Sequence, residues 1–94
     1  MTAPPILTLS EVATTLARWP RWTGSQDRFV LTAEFDGFDE AVAFMNQVFS
    51  IAKAQDHHPE LCNVYNRVTL EMTTHDSGGV SARDLQFIEA VESL

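Results

Sequence analysis

Apolar positions recur along this chain in two rhythms, one of three to four residues and one of two, and the changes between them mark out the elements. Thr8, Leu9, Ser10 and Glu11 read as a capping box, with Thr8 as N-cap, Glu11 reaching back, and Leu7 stapling onto Val12. Leu9, Val12, Leu16 and Trp19 then follow at helical spacing until Pro20 stops the helix. From Arg28 to Glu34 the rhythm becomes two: Phe29, Leu31 and Ala33 face one way, and Arg28, Thr32 and Glu34 the other, as in a half-buried strand. Residues around Trp22 are its expected partner strand, with Gly24-Ser25-Gln26-Asp27 as the turn.

Asp36 is the expected N-cap of a second, longer helix over 38–54. Its wide apolar face holds Phe38, Ala41, Val42, Met45, Val48, Phe49 and Ala52, with Phe44 and Ile51 lying off it. A helix apolar on more than one side must bury both, in the core and against another subunit, which predicts oligomerisation through this helix. The pattern gives way between Lys53 and Asp56, and Pro59 forbids a simple continuation. Val64, Val68, Leu70 and Met72 then share one parity, in one strand or in two short ones broken near Asn66. Thr73 to Gly79 reads as a polar turn. Ser81-Ala82-Arg83-Asp84 resembles a second capping start, and Leu85, Ile88 and Val91 give the last helix its buried stripe. Helices alternating with amphipathic strands predict an α+β domain, with the helices packed on one face of the sheet.

Ninety-four residues, nearly half of them apolar, suit one domain over 1–94 with a single core. One cysteine, Cys62, excludes an internal disulfide and a Cys-based zinc framework, and fits a cytoplasmic setting. Met1 to Leu7 lacks the pattern of a signal peptide, and no apolar run reaches the roughly 20 residues of a membrane span. A formal net charge of −7 disfavours direct nucleic-acid binding, which rests on cationic neutralisation of phosphates.

All three histidines, His57, His58 and His75, fall within nineteen residues. Each is expected where a helix or strand ends, and sites are commonly built at such loop positions on rigid elements. A metal site fits them poorly. Adjacent histidines diverge on regular backbone, and the helical His pair of zincins is absent, although Asp56, Asp76 or Asp84 could add a ligand. Acid–base chemistry fits better, because an imidazole supplies both donor and acceptor forms near neutral pH. Cys62 has no activating context, and no Gly-x-Ser-x-Gly elbow or phosphate-binding loop occurs.

The segments Asp56-His57-His58-Pro59-Glu60, Asn63-Val64-Tyr65-Asn66-Arg67-Val68 and Thr74-His75-Asp76, followed by Gly79, Ser81 and Asp84, closely resemble the pterin-4a-carbinolamine dehydratases. In that family's pattern the His-His-Pro, aromatic, His and Asp places correspond to His57-His58-Pro59, Tyr65, His75 and Asp84. The often acidic first place holds Lys53, where like charge would depress a nearby histidine's basicity. The resemblance implies an αββαββα domain with a four-stranded antiparallel sheet, assembled as a dimer or tetramer. It also implies a hydro-lyase (4a-hydroxytetrahydrobiopterin dehydratase), which needs no metal or organic cofactor. Its substrate is a 4a-hydroxytetrahydropterin, dehydrated to quinonoid dihydropterin in recycling a hydroxylase's pterin. By the same resemblance His57 and His75 form the acid–base pair and His58 supports them. Asp56, Pro59, Thr74 and Asp84 set histidine tautomers or hold the pterin, and Trp22 walls the pocket. A helix-start charge for Asp84, a surface place for Asp56 and a core place for Trp22 remain open. Two other functions are implied or allowed: a binding role, as transcription-factor dimerisation partner or assembly chaperone of a carbon-fixing enzyme, and a small metal-binding domain.

Overall fold

The computed structural model describes residues 3–94; Met1 and Thr2, the first two positions of the expected domain, lie outside the described residues. The elements run α1 (Leu9–Arg18), β1 (Trp22–Gly24), β2 (Phe29–Glu34), α2 (Phe38–Gln55), β3 (Glu60–Val64), β4 (Arg67–Met72), a 3-10 turn (His75–Ser77) and α3 (Ala82–Glu92). The four strands form one antiparallel sheet in the order β1-β2-β4-β3, with the helices on one side. That is the αββαββα architecture the resemblance implies. Among the described residues no helix is long and apolar enough to cross a membrane.

Strand alternation sets the sheet's buried face. Phe29, Leu31 and Ala33 of β2 and Val68, Leu70 and Met72 of β4 all point into the core. Helix α3 lays Phe87, Ile88 and Val91 against them, and α2 contributes Ala41, Phe44, Met45, Val48 and Ala52. Of the two expected arrangements it is the pair of strands broken near Asn66 that forms, as a hairpin of β3 and β4 joined at Tyr65-Asn66. Val64 is exposed because it pairs with Arg67 on the sheet face away from the core, while Leu61 and Asn63 pair with the inward-facing Leu70 and Val68.

Both helical stripes are rotated from their expected positions. Thr8 and Glu11 form the capping box of α1, but Leu9 is 74% exposed. The buried stripe is Leu7, Val12 and Thr15, with Leu16 and Trp19 packed beside it. Thr15 enters that stripe because its hydroxyl donates to the Glu11 carbonyl at 2.8 Å, so no donor is stranded. In α2 it is Phe44 that faces the core, against Phe35 at 5.1 Å between ring centroids, while Phe38 and Phe49 are about half exposed, at 49% and 48%. The geometry of 3.6 residues per turn puts Ala41, Phe44, Val48 and Ala52 on one line, with Phe38 and Phe49 at its margin. The N-cap of α2 is Gly37 rather than Asp36, and Asp39 and Glu40 supply first-turn charge in place of a side-chain cap.

Candidate active site

The end of α2 aims the first histidine. Asp56 turns left-handed (φ 49), its N–H reaches the Lys53 carbonyl, and the His57 N–H returns to the Ala52 carbonyl at 3.1 Å. These are the two bonds of a Schellman motif, which satisfies the helix's last carbonyls and reverses the chain. Arg83 secures the turn from α3 by donating to the Asp56 carbonyl at 2.8 Å. His57 is thereby carried inward, to 8% exposure, while His58 and Asp56 stay exposed. Pro59 follows, half-buried, and starts the chain toward β3.

The other wall grows from the end of β4. Thr74 pairs with Gly79 in an isolated antiparallel bridge, and the 3-10 turn between them projects His75 and Asp76. Gly79 is required by close approach: a Cβ there would stand 2.5 Å from the Gln26 carbonyl oxygen. Beyond it, Ser81 and Asp84 close the capping box of α3.

Asp84 is fully buried and joins the two walls. Its Oδ1 lies 2.7 Å from His57 Nε2, and its Oδ2 accepts from the Thr74 hydroxyl at 2.8 Å and the Ser81 N–H at 2.9 Å. A buried carboxylate needs such donors to offset its lost hydration. Opposite an ionised Asp84, a neutral His57 ring would place its N–H on Nε2 and keep Nδ1 as its acceptor nitrogen. The Phe87 ring, edge-on at 6.2 Å, holds the imidazole from behind.

An open cleft of about 360 Å³ lies between the walls, lined by Asp56, His57, His58, Thr73, Thr74, His75, Asp76 and Arg83. Its volume falls in the roughly 300–1,000 Å³ range of small-molecule sites. All three histidines meet there, with Asp56 and Thr74. Three of the expected site residues stand elsewhere. Asp84 lies behind His57, and Pro59 is off the lining. Trp22 is 2% exposed in the core and gives its indole N–H to Glu92 at 3.1 Å, so it does not wall this cleft. Lys53 is exposed on α2 and also off the lining. The sequence pointed to no site role for Arg83 or Thr73, and offered Asp76 only as a possible metal ligand. The positions of Arg83 and Thr73 beside Asp84 and Thr74 were the available signal.

Over most of its length the chain is similar to known proteins. The family model for pterin 4 alpha carbinolamine dehydratase matches residues 5–94. Two similar relatives bear the name "Putative pterin-4-alpha-carbinolamine dehydratase". One, from Prochlorococcus marinus (strain MIT 9313), is 43% identical over 89 residues, which span 95% of this chain and 93% of that protein. The other, from Novosphingobium aromaticivorans, is 46% identical over 90 residues, 94% of each chain. The crystal structure of a transcriptional coactivator/pterin dehydratase from Brucella melitensis is similar at a TM-score of 0.87 and 31% identity, covering 93% of this chain and 95% of its own.

Proposed function

The chain belongs to the pterin-4a-carbinolamine dehydratase family, and on that premise we propose that it dehydrates a 4a-hydroxytetrahydropterin through its three histidines. The observation that carries this reading is the convergence of His57, His58 and His75 on one cleft, with His57 backed by Asp84. The reaction breaks the C4a–O bond and forms the C4a=N5 bond. It needs a proton delivered to the departing hydroxyl, which leaves as water, and a proton taken from N5, which gives the quinonoid dihydropterin. Overall no proton is gained or lost.

His57 suits the base, since an Nε2–H directed at Asp84 leaves Nδ1 to accept a proton and the Asp84 carboxylate compensates the charge that results. His75, exposed on the opposite wall, suits the acid. His58, exposed beside Asp56 at 3.7 Å, supports charge in the cleft. The exposed free Cys62 fits a cytoplasmic reaction. The test is a dehydratase assay on purified protein: accelerated water loss from the 4a-hydroxy compound supports the reading, and a rate equal to the buffer blank overturns it.

One observation favours an additional binding role. Phe38 and Phe49 of α2 are about half exposed, which supports assembly of two or four copies of the chain through this helix, or a partner protein seated on it.

A further inference from the structure

The hydroxyls behind Asp84 have only one self-consistent proton arrangement. Asp84 as a carboxylate accepts only, so the Thr74 hydroxyl proton must go to Oδ2 at 2.8 Å. The Thr74 oxygen also lies 2.7 Å from Ser81 Oγ, and its own proton is already used, so the Ser81 hydroxyl is the donor there. The Ser81 oxygen in turn accepts the Arg83 N–H at 3.2 Å. Donation therefore runs one way, from the first turn of α3 through Ser81 and Thr74 into Asp84, whose other oxygen faces His57 Nε2. Thr74, Ser81 and Asp84 are all buried, at 2%, 0% and 0% exposure, so water does not compete for these bonds. Thr74 also directly precedes His75 in the chain, so one residue anchors both walls of the cleft.

We propose that Thr74 and Ser81 are positioning residues whose hydroxyls form a one-way donor relay into Asp84. The relay saturates Oδ2, leaves Oδ1 for His57, and holds that ring in the Nε2–H tautomer with Nδ1 available to substrate. The Thr74 hydroxyl proton is thus committed to Asp84 and is not donated to substrate. This inference rests on the dehydratase reading of the cleft, but its main readout does not.

The test is ¹⁵N NMR of histidine-labelled protein together with steady-state kinetics, for the wild type, Thr74→Val, Thr74→Ser and Ser81→Ala. In the wild type, neutral His57 is expected to show a single protonated nitrogen, Nε2. Thr74→Val removes the hydroxyl at nearly constant shape; it should mix the tautomers and lower kcat on the order of 10-fold, the span of one lost buried hydrogen bond, with KM within about twofold. Thr74→Ser should restore both readouts. Ser81→Ala, which leaves the Thr74 to Asp84 bond in place, should give a smaller change in the same direction. Nδ1–H in the wild type overturns the proposal, as does an unchanged tautomer in Thr74→Val or an equal loss of kcat in Thr74→Ser. An inactive wild type with the expected tautomer would instead count against the dehydratase reading alone.

Discussion

His57 Nε2 and Asp84 Oδ1 lie 2.7 Å apart, across a gap of 27 positions in sequence, and both side chains are buried. The pair ties the C-terminal turn of α2 to the N-terminal turn of α3, so the site and the helix packing share one bond. Removing either partner should therefore affect rate and stability together. His57→Ala and His75→Ala are each expected to lower kcat by at least ~10²-fold, the lower range for a positioned acid or base. Only His57→Ala should also reduce stability, because it strands the Asp84 carboxylate, whereas His75 is exposed. Urea unfolding alongside the kinetics checks both halves. Near-normal turnover in either variant contradicts the assigned pair.

Trp22 tests the boundary of the site. Its indole is packed in the core and bonded to Glu92, which also pairs with Arg21 at 2.7 Å. Trp22→Phe should cost about 1–3 kcal/mol through lost volume and an unmet polar group, yet leave KM within about twofold. A large rise in KM with stability unchanged would return Trp22 to the pocket wall.

Gly78 and Gly79 are adjacent but constrained for different reasons. Gly78 has φ 77 and open space around it, while Gly79 has a carbonyl where a Cβ would stand. Gly78→Ala should cost about 1 kcal/mol from left-handed strain alone. Gly79→Ala must displace the Gln26 carbonyl or its own strand bridge, and should cost about 1–3 kcal/mol. Because Gly79 pairs with Thr74, only Gly79→Ala should also lower kcat. Equal melting temperatures and rates for the two variants would refute this distinction.

The elements were legible because local rules dominate them. The Thr8 and Ser81 capping boxes, the alternation from Phe29 to Ala33 and the stop at Pro20 all describe neighbours in sequence. The exposure of Leu9 and Phe49 was not, because several apolar residues competed for one helical stripe and the sheet decided among them. The site shows the same division. Histidine spacing marked the cleft, but nothing local indicated that Asp84 would sit behind His57 or that Trp22 would bond Glu92. Those partners are 27 and 70 positions apart and meet only through the fold.

Lys53 stands where the family pattern is often acidic, and like charge near a histidine would weaken its basicity. The structure leaves it exposed in the last turn of α2, off the cleft lining. In that place water and salt screen its charge from the cleft, and its main role is to favour the helix C-terminus. Lys53→Glu is expected to leave the pH–rate profile in place and to cost about 0.3–1 kcal/mol of stability. A displaced pH optimum would show instead that the charge at this position is felt by the histidines.

Phe38 and Phe49 are eleven positions apart on α2, about three turns, so they lie near one line along the helix. Neither is needed for the core, which Ala41, Phe44, Met45, Val48 and Ala52 already fill from this helix. Two half-exposed rings on one face are a continuing cost in water that a second copy of the chain would remove. A stable pairing would have to cover more than these rings, roughly 1,000 Å² in total, and the length of α2 offers room for that. The wild type should therefore sediment as a dimer or tetramer at micromolar concentration, with a melting temperature that rises with protein concentration. Phe38→Ser with Phe49→Ser should shift sedimentation toward the monomer and abolish that concentration dependence, while helix content by circular dichroism stays unchanged. A double variant that sediments like the wild type would place the assembly interface elsewhere. A wild type that is already monomeric would leave the two rings without this role.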